Sequence, residues 1–321
     1  MPEMSGKFVL SLDTELAWGT RHRDGVKVYK RHFDNYRNLV ARLVGLLEEY
    51  QIKATWAFVG HLFLDSCDGK HADLVDSANG GADYDDWRRH DPGTDIHRDP
   101  YWYGRDILDK VLTMKPSQEI AAHTFSHVVL DERRCPAGMA RCQVQACVDL
   151  GRQHGLAIES FVFPRGNVAH LQEVSGAGIG AFRGIDASWH RKAPRSVAFV
   201  LRGLDYLLAL PPPVYELSRL DCRHNMLNIP ASQFLLPYDG LGSYVPTVSR
   251  IAKAKRGIKA AIARNAIYHL WFHPFNLGSS DRMFYVLKEI LEAVRSERDK
   301  GNIEDCTMKE IRQMFVGAAG G

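Results

Sequence analysis

The chain alternates between short apolar runs and longer segments whose apolar side chains recur at helical spacing. The first run covers residues 8–12 and stops at Asp13. Apolar residues then recur every three or four positions between 35 and 50, and a second apolar run follows at 53–60. Strand, helix and strand in this order predict a βαβ unit and therefore a parallel sheet.

The same alternation continues toward the C-terminal part of the chain. Further strands are predicted at 119–122, 160–163, about 180–182 and 266–272, and helices at about 103–113, 142–155, 169–178, 249–265, 281–297 and from 307. Two stretches, at about 61–117 and 190–248, interrupt this order and are predicted to be insertions, the second of them irregular. Because no change in composition separates two domains, we expect residues 1–321 to form one α/β domain. It is either a parallel-stranded barrel or an open, doubly wound sheet.

Composition narrows the class of protein without identifying it. The 321 residues are 45% hydrophobic and 25% charged, as in ordinary globular proteins. Lys plus Arg is 41 and Asp plus Glu is 38, so charge gives no indication of a nucleic-acid partner. No apolar run approaches the roughly 20 residues of a membrane span. The first residues lack the pattern of a signal peptide and the six cysteines form no C-x-x-C pair, so we expect a cytoplasmic protein with reduced thiols and no transmembrane segment.

Polar side chains follow several of the predicted strands directly. They are Asp13 and Glu15 after the first strand, His123 and His127 after the third, Arg165 and Asn167 after the fourth, and His273 after 266–272. Because the sites of parallel α/β folds are built at the carboxyl ends of strands, these side chains are expected to converge.

A metal site is one interpretation of this set. The spacing of four residues between His123 and His127 predicts that both rings lie on one face of a helical turn, although paired histidines also serve in capping and packing. Asp13 and Glu15 would be costly to bury without a partner, although carboxylates after a strand also cap helices. One carboxylate with two histidines is a common hydrolytic metal set, and it would leave the second carboxylate as a base.

Arg165 and His273 also have two interpretations each. Arg165 is either a surface turn residue or a residue that holds the base carboxylate or offers its backbone N–H to an oxyanion. His273 is either a packed histidine at a strand end or a general acid, with Asp186 as a weak candidate for its carboxylate neighbour. His269 lies about 13 Å back along the same strand and is expected to be an interior residue.

In order along the chain, these segments resemble the polysaccharide deacetylase family, the NodB-homology or carbohydrate esterase 4 type. The segments are Asp13-Thr14-Glu15, Thr55-Trp56-Ala57-Phe58-Val59-Gly60, His123-Thr124-Phe125-Ser126-His127, Phe163-Pro164-Arg165-Gly166-Asn167 and Leu270-Trp271-Phe272-His273. The H-[ST]-x-x-H motif is the most specific of them. The resemblance spans about residues 7–280 in separate islands, and it is closest to the branch found in O-antigen and other surface-polysaccharide gene clusters.

The resemblance implies a distorted (β/α)7 barrel and a divalent metal, usually Zn²⁺, used to remove acetyl groups from sugars. By position, Asp13 corresponds to the catalytic base, His123 and His127 to metal ligands, and His273 to the general acid. The family's T-F-D-D-G motif has its second Asp replaced by Thr14, which makes Glu15 the candidate third ligand. The R-x-P-Y-G motif lacks its first Arg and its Tyr, and Arg165 stands where a backbone N–H helps to form the oxyanion hole.

The resemblance implies an acetylated sugar as the substrate, and we expect the acetyl group to be N-linked. A nucleotide-linked sugar or a lipid-linked glycan at the inner membrane face fits an intracellular protein. Candidates for binding it are Trp18, Trp102, Trp189 and Asn167. The basic helix at 249–265 is either a phosphate- or membrane-contacting surface or a solvated face. Two alternative functions remain: hydrolysis of a non-sugar amide, and glycan binding without catalysis.

Overall fold

A computed structural model of the chain describes residues 5–22, 24–71, 74 and 86–319. Its strands are β1 Gly6–Thr14, β2 Thr55–Phe58, β3 Glu119–Ala122, β4 Ser160–Val162, β5 Ala181–Gly184, β6 Tyr215–Glu216, β7 Cys222–Arg223, β8 Met226–Pro230, β9 Gln233–Phe234, β10 Ala266–Phe272 and β11 Ile303–Cys306.

Helices alternate with these strands along most of the chain. They are α1 Gly25–Val28, α2 Lys30–Asp34, α3 Tyr36–Glu49, α4 Arg105–Leu112, α5 Ala137–Gln153, α6 Leu171–Gly176, α7 Arg195–Leu207, α8 Thr247–Arg264, α9 Arg282–Asp299 and α10 Met308–Ala319. None of the described helices is long and apolar enough to cross a membrane.

The sheet contains a run of seven parallel strands in the order β10-β1-β2-β3-β4-β5-β8. Its far end bends back toward its beginning. After β8, the N–H of Ala231 donates to the carbonyl of Gly184 at 3.0 Å, and the N–H of Ser232 donates to the carbonyl of His269 at 2.8 Å. The sheet therefore curls, and the predicted (β/α)7 barrel-like fold is confirmed.

Alternation along each strand divides the buried residues into two groups. Residues 8, 10 and 12 of β1 belong to the large core shared with the helices, whereas Val9 packs in a smaller cluster inside the curl. That inner cluster contains mostly small or β-branched side chains from neighbouring strands: Ala57, Ala121, Val162, Ala181 and Ile267. Met308 and Ile311 of α10 pack against it. The amino ends of the strands are thus closed by apolar packing, and the carboxyl ends are left for the polar residues.

The prediction of an irregular second insertion is partly wrong. Residues 190–248 are not irregular throughout, because 195–207 form α7 and 226–230 form β8, a parallel strand of the main sheet. Strand β11 was not predicted either, and it pairs with β1. Part of the first predicted insertion, at about 61–117, lies outside the described residues.

The basic residues of helix α8 divide into two sets: Arg256, Lys259 and Arg264 form an exposed face, whereas Arg250 and Lys253 are buried. The guanidinium of Arg250 is fully buried and donates to backbone carbonyls, including that of Leu236 at 2.9 Å. Lys253 is also buried and forms an ion pair with Asp205 at 2.7 Å. These two cations hold the helix onto the chain that precedes it, so they are not available to a membrane or to a phosphate.

Candidate metal and hydrolytic site

The inner face of the curled sheet becomes polar toward the carboxyl ends of its strands. On β1, Val9 is followed at two-residue intervals by Ser11 and Asp13, which share its face of the strand. On β10, His269 is paired with Val9 in the register, and its side chain extends to Ser11, with Nε2 2.9 Å from the Ser11 hydroxyl. Because of strand periodicity and parallel register, these polar groups lie together at one end of the barrel.

Three of the residues singled out in the sequence meet directly. The Glu15 Oε1 atom lies 3.0 Å from Nε2 of His123 and 3.1 Å from Nε2 of His127. All three side chains are almost completely buried. Burial alone raises the pKa of the Glu15 carboxyl, but the facing imidazoles of His273 and His127 outweigh this effect and hold its pKa well below the ordinary value.

Backbone contacts fix the direction in which these ligands point. Nδ1 of His123 lies 2.7 Å from the carbonyl of Val162, so Nδ1 carries the proton and Nε2 presents a lone pair to Glu15. The guanidinium of Arg21 donates to the carbonyls of Trp18 and His127 at 3.2 and 3.1 Å. This arginine joins the turn that follows Glu15 to the loop that ends with His127.

The predicted helical turn between His123 and His127 is wrong. Both Thr124 (φ 54°) and His127 (φ 58°) have left-handed backbone conformations, and no helix covers these residues. The two rings still approach to 5.0 Å between centroids. Spacing of four residues brings the rings together here through a compact loop in place of a helix face.

The three side chains fit a divalent metal ion. Zinc bonds of 2.0–2.2 Å to nitrogen and oxygen in a tetrahedral arrangement put neighbouring ligand atoms roughly 3.3 Å apart. The two Glu15–histidine separations of 3.0 and 3.1 Å are close to that value. In addition, the contact of Nδ1 of His123 with the Val162 carbonyl leaves Nε2 to bind a cation together with the Glu15 carboxylate.

Asp13 is held by an arginine that the sequence analysis did not select. The two guanidinium NH groups of Arg183 donate to Oδ1 and Oδ2 of Asp13 at 2.6 and 2.7 Å. The guanidinium also lies over the Trp271 ring, 4.2 Å from its centroid. Burial raises the pKa of Asp13, but the charge and hydrogen bonds of Arg183 prevail and lower it. Asp13 is thus an oriented carboxylate close to the three ligands.

His273 lies on the other side of Glu15. Its Nε2 is 3.4 Å from Glu15 Oε1 and 3.9 Å from Asp13 Oδ2, while its Nδ1 lies 3.1 Å from the side-chain oxygen of Asn276. Burial lowers its pKa, but the two carboxylates outweigh burial and raise the pKa to about 9. The prediction that Asp186 is the carboxylate neighbour of His273 is wrong, because the Asp186 carboxylate pairs with Arg191 at 2.7 Å.

His269 occupies the place expected for an interior residue. Its side chain is fully buried below the site and contacts Ser11. Burial, together with the nearby Arg183 charge, lowers its pKa to about 3. It is therefore a neutral imidazole in the barrel interior.

A cavity of about 680 Å³ opens above these residues. Asp13, Glu15, His127 and His273 lie in its floor, and Trp271 and Phe234 form part of its apolar lining. The opposite wall comes from the chain after β5, from residue 185 to residue 206. Among the described residues, two arginines line the cavity without an ion pair, Arg165 and Arg202.

The turn at 164–166 shapes one edge of the cavity. Arg165 (φ 56°) and Gly166 (φ 67°) are successive left-handed residues, and the Arg165 side chain is exposed. The suggestion that Arg165 holds the base carboxylate is wrong, since Arg183 does so. Its backbone N–H remains the candidate for an oxyanion contact.

The predicted substrate-binding residues are placed less favourably. The Trp18 side chain is fully buried and donates to the carbonyl of Trp102 at 3.0 Å, so its selection as a sugar-stacking residue is wrong. Trp102 and Asn167 do not line the cavity; the amide of Asn167 donates to Asp131 at 3.2 Å. Trp189 is 45% exposed beside the cavity wall, and its indole donates to Asp205 at 3.0 Å.

Sequence reasoning therefore missed Arg183, Trp271 and Asn276. A signal for Arg183 was present, because it is a charged residue inside the apolar strand segment Ala181-Phe182-Arg183-Gly184. Such a residue must find a buried partner on a neighbouring strand end. Asn276 lies three residues after His273 in a turn that begins with proline, and its oxygen also accepts the His273 backbone N–H at 3.2 Å.

Neither a family model nor a curated protein matches the sequence. Solved structures do match the fold. A Mycobacterium smegmatis protein assigned to the polysaccharide deacetylases is 13% identical, with 99% of this chain and 93% of that chain covered and a TM-score of 0.65.

Two further structures match over similar lengths. The PuuE allantoinase is 9% identical over 99% of this chain and 92% of its own, with a TM-score of 0.62. A Pseudomonas aeruginosa PAO1 protein assigned to the polysaccharide deacetylases is 9% identical over 98% of this chain and 92% of its own, with a TM-score of 0.60. At these identities the shared property is the fold, and the chain has the curled, mostly parallel α/β barrel found in all three.

Proposed function

We propose that this protein is a metal-dependent hydrolase that removes an acetyl group from a sugar. The observation that carries the proposal is the convergence of Glu15, His123 and His127 beside a second, oriented carboxylate and His273 at the floor of one cavity. Ligands, a base and an acid are the parts that hydrolysis of an acetamide or acetyl ester requires. The sequence resemblance and the solved structures assigned to polysaccharide deacetylases support the same activity.

Glu15, His123 and His127 would hold the ion, which is most simply Zn²⁺. When bound, it polarises the acetyl carbonyl and lowers the pKa of a coordinated water. Asp13 would accept the proton of the attacking water. Both of its oxygens are engaged by Arg183, which fixes the carboxylate plane while further lone pairs remain free toward the cavity.

His273 would deliver a proton to the departing nitrogen or oxygen. Asn276 receives the Nδ1 proton of His273, which leaves Nε2 facing the carboxylates and the cavity. An amide nitrogen leaves poorly without a proton, so the reaction needs an acid at this position. The backbone N–H of Arg165 would donate to the oxyanion that develops on the acetyl oxygen.

The substrate that we propose is an acetylated sugar carrying an anionic group, such as a nucleotide-linked sugar or a lipid-linked glycan. A cavity of about 680 Å³ accommodates more than a single acetyl sugar ring. Arg165 and Arg202 line it without an acidic partner among the described residues, and guanidinium groups bind phosphate well. Such sugars serve in the assembly of surface polysaccharides such as O-antigen, the role that the sequence resemblance implies.

Acetate release from acetylated nucleotide sugars and from the corresponding neutral sugars tests the proposal. We expect release by the zinc-loaded protein, with a lower KM for the nucleotide sugars, and loss of release in Asp13→Asn. Arg202→Gln should raise KM for the nucleotide sugars and leave the neutral sugars unaffected. Release from neither class by a protein that binds zinc would refute the proposal. Turnover of small non-sugar amides alone would favour the alternative hydrolase, and sugar binding without turnover would favour a glycan-binding protein.

A further inference from the structure

A second group of metal-ligating side chains lies behind the proposed active site. His61 stands in the turn Gly60–Phe63, directly after β2, and the chain that follows contributes Cys67, His71 and Asp91. The ligand atoms of these four residues all lie within 4.8 Å of one another. The group shares no residue with the proposed active site.

The separations within this group match one small cation. Oδ2 of Asp91 is 3.1 Å from Nε2 of His61 and 2.9 Å from Nε2 of His71, and the Cys67 sulfur is 3.4 Å from Nε2 of His61. Bonds of about 2.0–2.3 Å in a tetrahedral zinc site put neighbouring ligand atoms roughly 3.3–3.6 Å apart. The four groups therefore already stand near the distances that a shared zinc ion requires.

Both histidine rings of this group turn a nitrogen toward the Asp91 carboxylate. Nδ1 of His61 lies 3.1 Å from the carbonyl of Trp102 and donates to it, which directs Nε2 toward an Asp91 oxygen. Nε2 of His71 is buried and makes no hydrogen bond of acceptable geometry. The side chains of His61 and Asp91 have no exposed surface at all. Two ring nitrogens, a sulfur and a carboxylate thus face one centre, an arrangement that suits a bound cation.

The thiol is suited to metal binding. The hydroxyl of Tyr103 lies 3.2 Å from the Cys67 sulfur and accepts the N–H of Thr94 at 2.9 Å, which leaves its proton free to donate to a sulfur anion. The thiolate is the form that binds metals, and this hydroxyl is placed to donate to it.

We propose that His61, Cys67, His71 and Asp91 bind a structural zinc ion. One sulfur, two nitrogens and one oxygen from the protein complete a tetrahedral shell, which leaves no position for water or substrate. This closed shell distinguishes it from the group of Glu15 with two histidines, which leaves positions open.

The position of the zinc site explains what the ion does for the fold. The N–H groups of Gly60 and His61 donate to the carbonyls of Thr124 and Phe125 at 2.9 and 2.8 Å, so this ligand turn is bonded to the loop between His123 and His127. The zinc ion fastens the chain that follows β2 against that loop.

The other side of His61 faces the turn after Glu15. The indole of Trp18 packs on the imidazole of His61, with ring centroids 4.6 Å apart. Trp18 lies three residues after Glu15, so the zinc-bound turn also supports the carboxylate ligand of the active site. The proposed structural zinc ion therefore supports both chain segments that supply ligands to the proposed active site.

Cobalt substitution of the full-length protein tests the proposal, because only a thiolate ligand adds an intense near-ultraviolet charge-transfer band. We expect two Co²⁺ per native chain and one such band. His123→Ala, which removes a ligand of the other site, should keep one Co²⁺ and the full band. Cys67→Ala should bind one Co²⁺ without the band, whereas Cys222→Ser, at an exposed thiol, should match the native protein.

The results that overturn the proposal are equally specific. One Co²⁺ per native chain without a thiolate band would make the four residues a hydrogen-bonded ion network in place of a metal site. A band that persists in Cys67→Ala would assign the thiolate to another cysteine. The His123→Ala measurement does not depend on the Cys67 variant folding, and the band does not depend on deacetylation.

Discussion

Replacing Arg183 by methionine tests the buried pair that orients the proposed base. The side chains of Arg183 and Asp13 are only 6% and 4% exposed and make two hydrogen bonds of 2.6 and 2.7 Å. Removing one partner of a buried ion pair costs about 3–5 kcal/mol, because the remaining charge is left without compensation. Since Asp13 borders the cavity, where water can reach it, we expect the lower end of that range, about 3 kcal/mol.

The double variant Arg183→Met/Asp13→Asn separates this charge effect from lost packing. It carries no buried charge at the pair and retains one unpaired amide, which costs about 1 kcal/mol. We therefore expect the second substitution to restore about 2 kcal/mol, a coupling typical of residues in direct contact. Packing of the guanidinium against Trp271 is lost equally in both variants and cancels from the comparison.

Urea unfolding at neutral pH in the presence of a chelator measures these differences without a contribution from bound metal. Arg202→Met provides the matched control, because that arginine lines the same cavity, is exposed and makes no ion pair among the described residues. Its effect should stay within about 0.5 kcal/mol. Equal stability of Arg183→Met and the double variant would refute the assignment of an unpaired buried carboxylate.

Three further predictions follow from single contacts. A Cβ at Gly19 would lie 1.7 Å from the carboxylate of Glu15, the proposed metal ligand. Gly19→Ala should therefore weaken zinc affinity at least tenfold in a competition titration. Gly45→Ala, where nothing lies within 4 Å of the added Cβ, should leave the affinity unchanged. Burial raises the pKa of Glu119, so the stability that this group contributes is present below about pH 4.3 and is lost as pH rises through the folded-state pKa. Glu119→Gln should accordingly lose less unfolding free energy than the native protein between pH 4 and 7, and parallel pH profiles would contradict this. His273→Ala should fold and bind zinc but release acetate about 10²–10⁴-fold more slowly, which is the usual contribution of a general acid to the rate. His269 lies deep in the barrel, so His269→Ala should instead lower the free energy of unfolding by about 1–3 kcal/mol. Unchanged turnover in the first variant would remove that histidine from the mechanism.

Strand ends were the most informative part of the sequence. Asp13 and His273 stand one residue beyond Leu12 and Phe272, which are paired in the register of β1 and β10. Their proximity follows from parallel pairing and from the rule that sites form at carboxyl ends. Periodicity alone was sufficient to place these residues together, although it did not show which carboxylate faces the histidines.

Contacts between distant segments could not be predicted in the same way. The pairing of Asp13 with Arg183 joins β1 to β5, which are separated by three strands in the sheet, and it depends on how strongly the sheet curls. Strand β8 was missed because a short run with Pro230 resembles an irregular segment. The group of His61, Cys67, His71 and Asp91 could not be predicted, because the sequence separations of these residues match no familiar metal-binding motif.

The cavity has two walls of different origin, and this has a consequence for how such a protein diversifies. The proposed reacting groups stand at the ends of β1 and β10 and on the loop after β3, next to strands that backbone pairing holds in place. The facing wall is one continuous stretch of chain between β5 and β8. A change of length or sequence in that stretch alters which molecule fits and leaves every reacting atom in place. We therefore expect substrate choice to depend chiefly on this stretch, and a chimera that exchanges only residues 186–221 should change the preferred substrate and keep the proposed reaction.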